Sequence, residues 1–302
     1  MDKLVVGTAT DDTVRLIAAV TTDLVAEAVH RHQTSPTASA ALGRVLTGVA
    51  LLGASLKDFD RLTVRVEADG PIEGIVAEAK SDGSVRGYVR NPAAELPPKS
   101  DGKFDVSGIV GGGMLYVTRE SGFDLGLYRD PYVGSVPITS GELAEDFAYY
   151  LAKSEQIPSA VLLGVLLQNT APFVTASGGV MIQMMPGVND HLVTIIEDTV
   201  GRAPHVTTVI NEGATPEDLI AVALGEVEFK ILDERAVRFD CSCSYERAVS
   251  MISALGQQEV SSMLAEDGRA VMTCGFCNET YRLDASELEG ILARENGGAS
   301  DG

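Results

Sequence analysis

The sequence predicts an α+β protein: a mixed α/β amino-terminal domain with an antiparallel sheet, a helical linker, and a small carboxy-terminal domain built on four cysteines. Three observations carry that reading. Alternating apolar runs ended by Gly, Asp or Pro are mixed with helical stretches over residues 1–186, helical periodicity dominates 187–235, and all four cysteines fall between 241 and 277.

The first runs, KLVVGTAT and VRLIAAV, flank an Asp11-Asp12 turn and read as a strand pair, followed by a helical TDLVAEAVHRH. Pro36 to Leu56 is apolar nearly all round, which marks a helix buried on every side. RLTVRVEADG, PIEGIVAEAK and VRGYVRNP alternate apolar and polar residues and predict an antiparallel sheet, extended by GIVGGGMLYVTRE and FDLGLYRDPYVGSVPI. Ser140 is placed as the N-cap of a helix over ELAEDFAYYLAKSEQ, and VLLGVLLQN and GGVMIQMMPG read as two further strands closing the domain near Pro186.

From there HLVTIIEDTVG predicts one helix, and Thr215-Pro216-Glu217-Asp218 starts another with a cap, a proline at the first position and acidic first-turn residues. The domain boundaries set on these grounds are a core at 1–186, a linker at 187–235, a four-cysteine domain at 236–294 and a frayed tail at 295–302. Within the third, SYERAVSMISAL and EVSSMLAED predict helices, RAVMTCGFCNETYRL a hairpin turning at CGFC, and Asp284 to Glu287 a capping box.

Composition bounds the function. At 302 residues the chain has room for about two domains, and 45% hydrophobic with 22% charged residues is a globular composition. A formal charge of -20 repels phosphate backbones and anionic lipid, so neither nucleic acid nor membrane is expected as a partner. No stretch approaches the roughly 20 apolar residues of a membrane span, and the start MDKLVVGTATDDTVRL is no secretory signal. The expected location is the cytoplasm, where paired cysteines at short spacing read first as a metal site or a redox site.

Cys274-Gly-Phe-Cys277 is a C-x-x-C turn whose Gly275 is expected to let the backbone fold tightly and bring two sulfurs together. Cys241 and Cys243, as residues i and i+2 of an extended segment, point to one face and can reach the same metal. His30, His32, His191 and His205 all lie outside this region, so a metal here would be held by four sulfurs. Sulfur selects zinc or an iron–sulfur cluster, and the knuckle spacing suits a single ion. Four protein ligands leave no open position, which argues against catalytic zinc. An isolated C-x-x-C reads as an architectural knuckle, but each close pair here can also close a local disulfide once a metal leaves. Structural zinc contributes on the order of 10 to 16 kcal/mol, against a net few kcal/mol from the core of a domain of about 60 residues. Metal loss is therefore expected to unfold this domain.

These residues resemble the redox-regulated heat-shock protein 33 family of bacterial chaperones, over nearly the whole chain. HQTSPTASAALGR (32–44), VRGYVRNP (85–92), EDFAYYLAKSEQIPSAV (145–161) and GGVMIQMMPG (178–187) look like that family's signature segments in its order, as does the C-x-C, thirty residues, C-x-x-C spacing. The resemblance implies a holdase chaperone, not an enzyme, with one zinc on Cys241, Cys243, Cys274 and Cys277 in an inactive reduced form. It also implies that oxidation forms the Cys241–Cys243 and Cys274–Cys277 disulfides, releases zinc and unfolds the redox domain and linker. The active form, a homodimer when oxidised, would then hold unfolded clients without ATP on the 1–186 core.

Plainer roles are expected for some family segments. Arg86, Tyr88, Arg90, Asn91 and Pro92 read as sheet and turn residues, Met181, Met184 and Met185 as core in an alternating strand, and Gly111 to Gly113 as a bulge. Two competing functions fit the sequence less well. A nucleic-acid-binding zinc ribbon conflicts with four Arg and no Lys against ten acidic residues from Cys241 onward. A thiol-disulfide oxidoreductase of thioredoxin type would place CGFC in a βαβ setting, which the sequence lacks.

Overall fold

The computed structural model describes residues 2–57, 60–122, 130–171 and 173–297. Two compact units divide between Asp240 and Cys241.

The first unit opens with β1 (Lys3–Ala9) and β2 (Val14–Val20), a hairpin whose turn residues Thr10, Asp11 and Asp12 all have positive φ. Helices α1 (Thr22–His32) and α2 (Pro36–Gly53) follow. Ser35 caps α2 by accepting from the Ala38 N–H, and Pro36 presets its first turn. From Thr37 to Gly53 every residue but Arg44 is buried, as the all-round apolar pattern requires. Small residues let neighbours approach closely: a Cβ on Gly48 would lie 2.4 Å from the Phe147 ring.

Strands β3 (Arg61–Ala68), β4 (Ile75–Lys80) and β5 (Ser84–Val89) come next, then the short helix α3 (Val106–Val110), β6 (Gly113–Glu120), β7 (Tyr132–Pro137) and α4 (Ala144–Lys153). The unit continues with β8 (Ser159–Leu167), β9 (Val174–Met184), α5 (Asp190–Arg202), α6 (Val206–Asn211), α7 (Pro216–Leu224), β10 (Phe229–Ala236) and β11 (Arg238–Phe239). Two sheets result, ordered β10-β1-β2-β9-β8 and β11-β5-β4-β3-β6-β7, antiparallel throughout except where β11 joins β5. One large core surrounds α2 between the sheets, and α5 to α7 cover the other face of the five-stranded sheet through a second core.

Several sequence expectations need correction. Residues 229–236, assigned to the helical linker, form β10 and pair with β1; their burial alternates along an edge strand, a weaker signal than a helix's apolar stripe. The helix expected from Ser140 begins at Ala144 instead. Its organiser is Asp146, whose carboxylate accepts from the backbone N–H groups of Thr139, Ser140, Gly141 and Leu143 at 2.7 to 3.0 Å and from two hydroxyls. Gly108, Ile109 and Val110, read as strand, end α3, and Gly111 to Gly113 make the turn into β6 with no bulge against β3. The start of the run at 123–129 lies outside the described residues.

Burial alone would raise the Asp146 pKa, but these donors hold it below the ordinary carboxylate value. A depressed carboxylate contributes stability that is present above its unfolded pKa and lost as pH falls through the folded one. Asp146→Asn is therefore expected to cost about 3 kcal/mol at neutral pH, with the gap to wild type narrowing in acid below pH about 4. Urea unfolding of both proteins across that range measures it.

The second unit comprises α8 (Tyr245–Ser253), α9 (Gln257–Glu266), the hairpin β12 (Ala270–Thr273) and β13 (Thr280–Leu283), and α10 (Ala285–Gly297). Ser244 caps α8, and Asp284 with Glu287 forms the expected capping box at α10. Beyond Gly297 the expected frayed tail lies outside the described residues. Among the described residues of this unit, Ile252, Val260, Ala270, Leu283, Leu288 and Ile291 form a small buried core, with partly buried residues such as Val249, Met263 and Leu292 packed against it. Among the described residues no helix is long and apolar enough to cross a membrane.

Candidate metal centre

Cys241 and Cys243 sit in the irregular segment between β11 and α8, and Cys274 and Cys277 in the turn that joins β12 to β13. The turn is closed by the Cys274 N–H donating to the Glu279 carbonyl and the Asn278 N–H donating to the Cys274 carbonyl, both at 2.8 Å. The left-handed residue here is Asn278, at φ 60, and not Gly275. A Cβ on Gly275 would meet nothing within 4 Å, so the expectation that this glycine closes the turn is corrected: Asn tolerates the left-handed conformation and takes that task.

The four sulfurs all lie within 4.8 Å of one another, with Cys241 to Cys274 at 3.7 Å and Cys243 to Cys277 at 3.3 Å. A tetrahedral zinc with bonds of about 2.3 Å separates its sulfurs by about 3.8 Å, so the cluster has the size of a four-thiolate site. Among the described residues no second group of three or more His, Cys, Asp or Glu converges in this way. The four histidines all belong to the first unit, as the sequence placed them.

Burial pushes the Cys243 thiol up, against a phenol hydrogen bond from Tyr281 that lowers it. Burial pushes Cys277 up further, against the Glu279 backbone N–H. With no metal these sulfurs favour protons; a cation displaces them, which makes metal binding a proton-releasing event. Soft donors, four in number and close-packed, fit zinc, held by Cys241, Cys243, Cys274 and Cys277.

Sequence reasoning missed Tyr281, whose hydroxyl lies 3.1 Å from the Cys243 sulfur. Its one signal was a tyrosine four residues beyond the last cysteine. Elsewhere Met181 and Met184 are core as read, whereas Met185 lies just past the end of β9 and is half-buried; Arg86 pairs with Glu78 across the sheet at 2.6 Å, and Asn91 donates to the Pro71 carbonyl.

The sequence profile of the family described as Hsp33 protein matches residues 2–284. The chain belongs to the Hsp33 family. A Bacillus subtilis relative named 33 kDa chaperonin is 47% identical over 292 residues, covering 96% of this chain and 98% of its own. One from Desulforamulus reducens with the same name is 44% identical over 293 residues, covering 97% and 98%. The crystal structure of the 33 kDa chaperonin of Thermotoga maritima superposes with a TM-score of 0.89 at 35% identity, covering 98% of this chain and 99% of that one. An Hsp33 chain with an α+β body and a cysteine cluster near its carboxy terminus is what the sequence predicted.

Proposed function

We propose that this Hsp33-family protein is an ATP-independent holdase chaperone of the cytoplasm, kept inactive by zinc on its four cysteines and switched on by oxidation. The observation that carries this reading is the four-sulfur cluster in a unit whose buried apolar core is small. Bound zinc supplies a cross-link among four sulfurs and, with no open coordination position, no catalysis. Each cysteine pair can give two electrons to a peroxide, which is reduced to water as the disulfide forms, and sulfurs so joined no longer hold a cation.

Without the cross-link the 236–294 region loses the interaction that keeps it folded. The 187–235 linker, continuous with it, then releases its apolar residues. Exposed apolar stripes bind the exposed apolar stripes of an unfolding client, and the charge of -20 keeps the loaded complex soluble. Oxidised protein would act as a homodimer through the 1–186 core, with no nucleic acid, membrane or substrate turnover involved.

Light scattering of a thermally unfolding client tests the reading. Scattering is expected to fall with peroxide-treated, warmed protein and to rise normally with reduced, zinc-loaded protein. Equal protection by both forms removes the switch, and protection by neither removes the chaperone.

The disulfide pairing is a separate expectation. The shortest sulfur distances join residues of different pairs, but short loops close more readily than one of about thirty residues once the unit opens. Peptide mapping after peroxide is expected to find Cys241–Cys243 and Cys274–Cys277. Mostly cross-pair bridges would mean the cluster oxidises without opening.

A further inference from the structure

We propose that Tyr281 is a positioning residue of the switch: its hydroxyl, donating to Cys243, holds that sulfur in place for the metal and slows its oxidation. The inference rests on the zinc-switch reading above and names a residue that sets its threshold.

The geometry braces the phenol from three elements. Tyr281 lies on β13, paired with Met272 of β12, and its hydroxyl reaches the Cys243 sulfur at 3.1 Å. Its ring meets that of Tyr245, on α8, edge-on, with centroids 6.4 Å apart and planes at 63°. Tyr245 in turn donates to Glu287 on α10, and Glu287 is fixed by accepting the Asp284 N–H at 2.8 Å. Tyr281 therefore aims at the sulfur from a supported position, as partners of metal ligands do.

The chemistry follows from the sulfur lone pairs. A cysteine sulfur holding a cation would keep a lone pair free, and that pair would be the nucleophile toward peroxide. In the attack an S–O bond forms, the O–O bond breaks, and hydroxide leaves and is protonated to water. The Cys241 sulfur then displaces the remaining hydroxide from the sulfenic acid as the S–S bond forms, so two electrons pass from the pair to the oxidant. A phenol proton resting on the lone pair withdraws charge from it. That lowers the rate of the first step, while the O–H to sulfur contact fixes Cys243 where the other three sulfurs converge.

Tyr281→Phe removes the hydroxyl and keeps the ring against Tyr245. Chelator competition is expected to show zinc affinity falling by about 10- to 100-fold, the usual effect of losing such a partner. Peroxide-driven zinc release should accelerate by about three- to tenfold, the size of one hydrogen bond. In the cobalt-loaded protein the sulfur-to-metal charge-transfer band should move to lower energy, a change that altered packing alone does not produce. Tyr149→Phe, on α4 in the first unit, should stay within about twofold of wild type in all three measurements. Wild-type zinc affinity, release rate and cobalt band in Tyr281→Phe overturn the role of Tyr281 while leaving the switch intact. A wild-type protein that binds no zinc, or keeps it under peroxide, overturns the switch itself.

Discussion

Cys274→Ser is expected to unfold the second unit and free the linker helices while leaving the 1–186 core native. The substitution removes one of four sulfurs from a cluster whose members lie within 4.8 Å of one another. Three sulfurs and a hydroxyl hold zinc far more weakly, and the energy at stake is on the order of 10 to 16 kcal/mol. That exceeds the few kcal/mol net that a core of six apolar side chains leaves after conformational entropy is met. The helices α8, α9 and α10 should then lose their amide protection together, and a protease should cut beyond Asp240 and in the linker helices between 190 and 224, and stop at the 1–186 core. Stripping wild-type protein with a chelator should reproduce the pattern, and restoring zinc should reverse it only in wild type. Full amide protection of α8 to α10 in the variant would show that the apolar core suffices without metal, and the switch would lose its physical basis.

How far the sequence announced this structure depends on the range of the interaction involved. α2 was legible because burial on all sides leaves an unbroken apolar record, and α7 because Thr215, Pro216 and Asp218 write its capping box within four residues. The metal centre was legible because each half is encoded locally, as C-x-C or C-x-x-C, and only the meeting of the halves needs the fold. What escaped was long-range or carried by an unexpected residue type. β10 pairs with β1 more than 220 positions away, and its half-exposed residues give no stripe to recognise. The start of α4 is organised by Asp146, inside the helix, gathering N–H groups from the loop before it, so a search for a cap at Ser140 looks at the wrong end of the same hydrogen bonds. Asn278 carries the left-handed turn that the nearby Gly275 seemed to promise, since its N–H closes back on the Cys274 carbonyl while the Cys274 N–H donates to the Glu279 carbonyl.

Ile220→Asp is expected to make the reduced, zinc-loaded protein protect clients with no oxidant present. Helices α5 to α7 cover one face of the five-stranded sheet, and their hold is uneven. On α7, Leu219, Ile220, Ala223 and Leu224 are all buried, whereas on α5 only Ile196 is, and Ile195 is exposed. Lys3 on β1 adds an ion pair to Glu217 at 2.5 Å, where burial alone would raise the Glu217 carboxyl but the lysine holds it below its ordinary value. α7 is thus the latch. Ile220 is fully buried, and an aspartate there must either leave its charge unpaired among Val5, Leu16 and Ile182 or pull the helix off the sheet. The cost of the first course, about 4 kcal/mol or more, favours the second. Detachment uncovers both partners, the helix stripe and the sheet face, which is the apolar surface a client requires. Three measurements check the result: zinc content of one per chain, limited proteolysis between 190 and 224, and client light scattering without peroxide. A variant cut at those helices that still fails to protect a client would separate linker release from chaperone activity. One in which the whole first unit melts with the helices would show that α5 to α7 are part of the core and not a cover that can open.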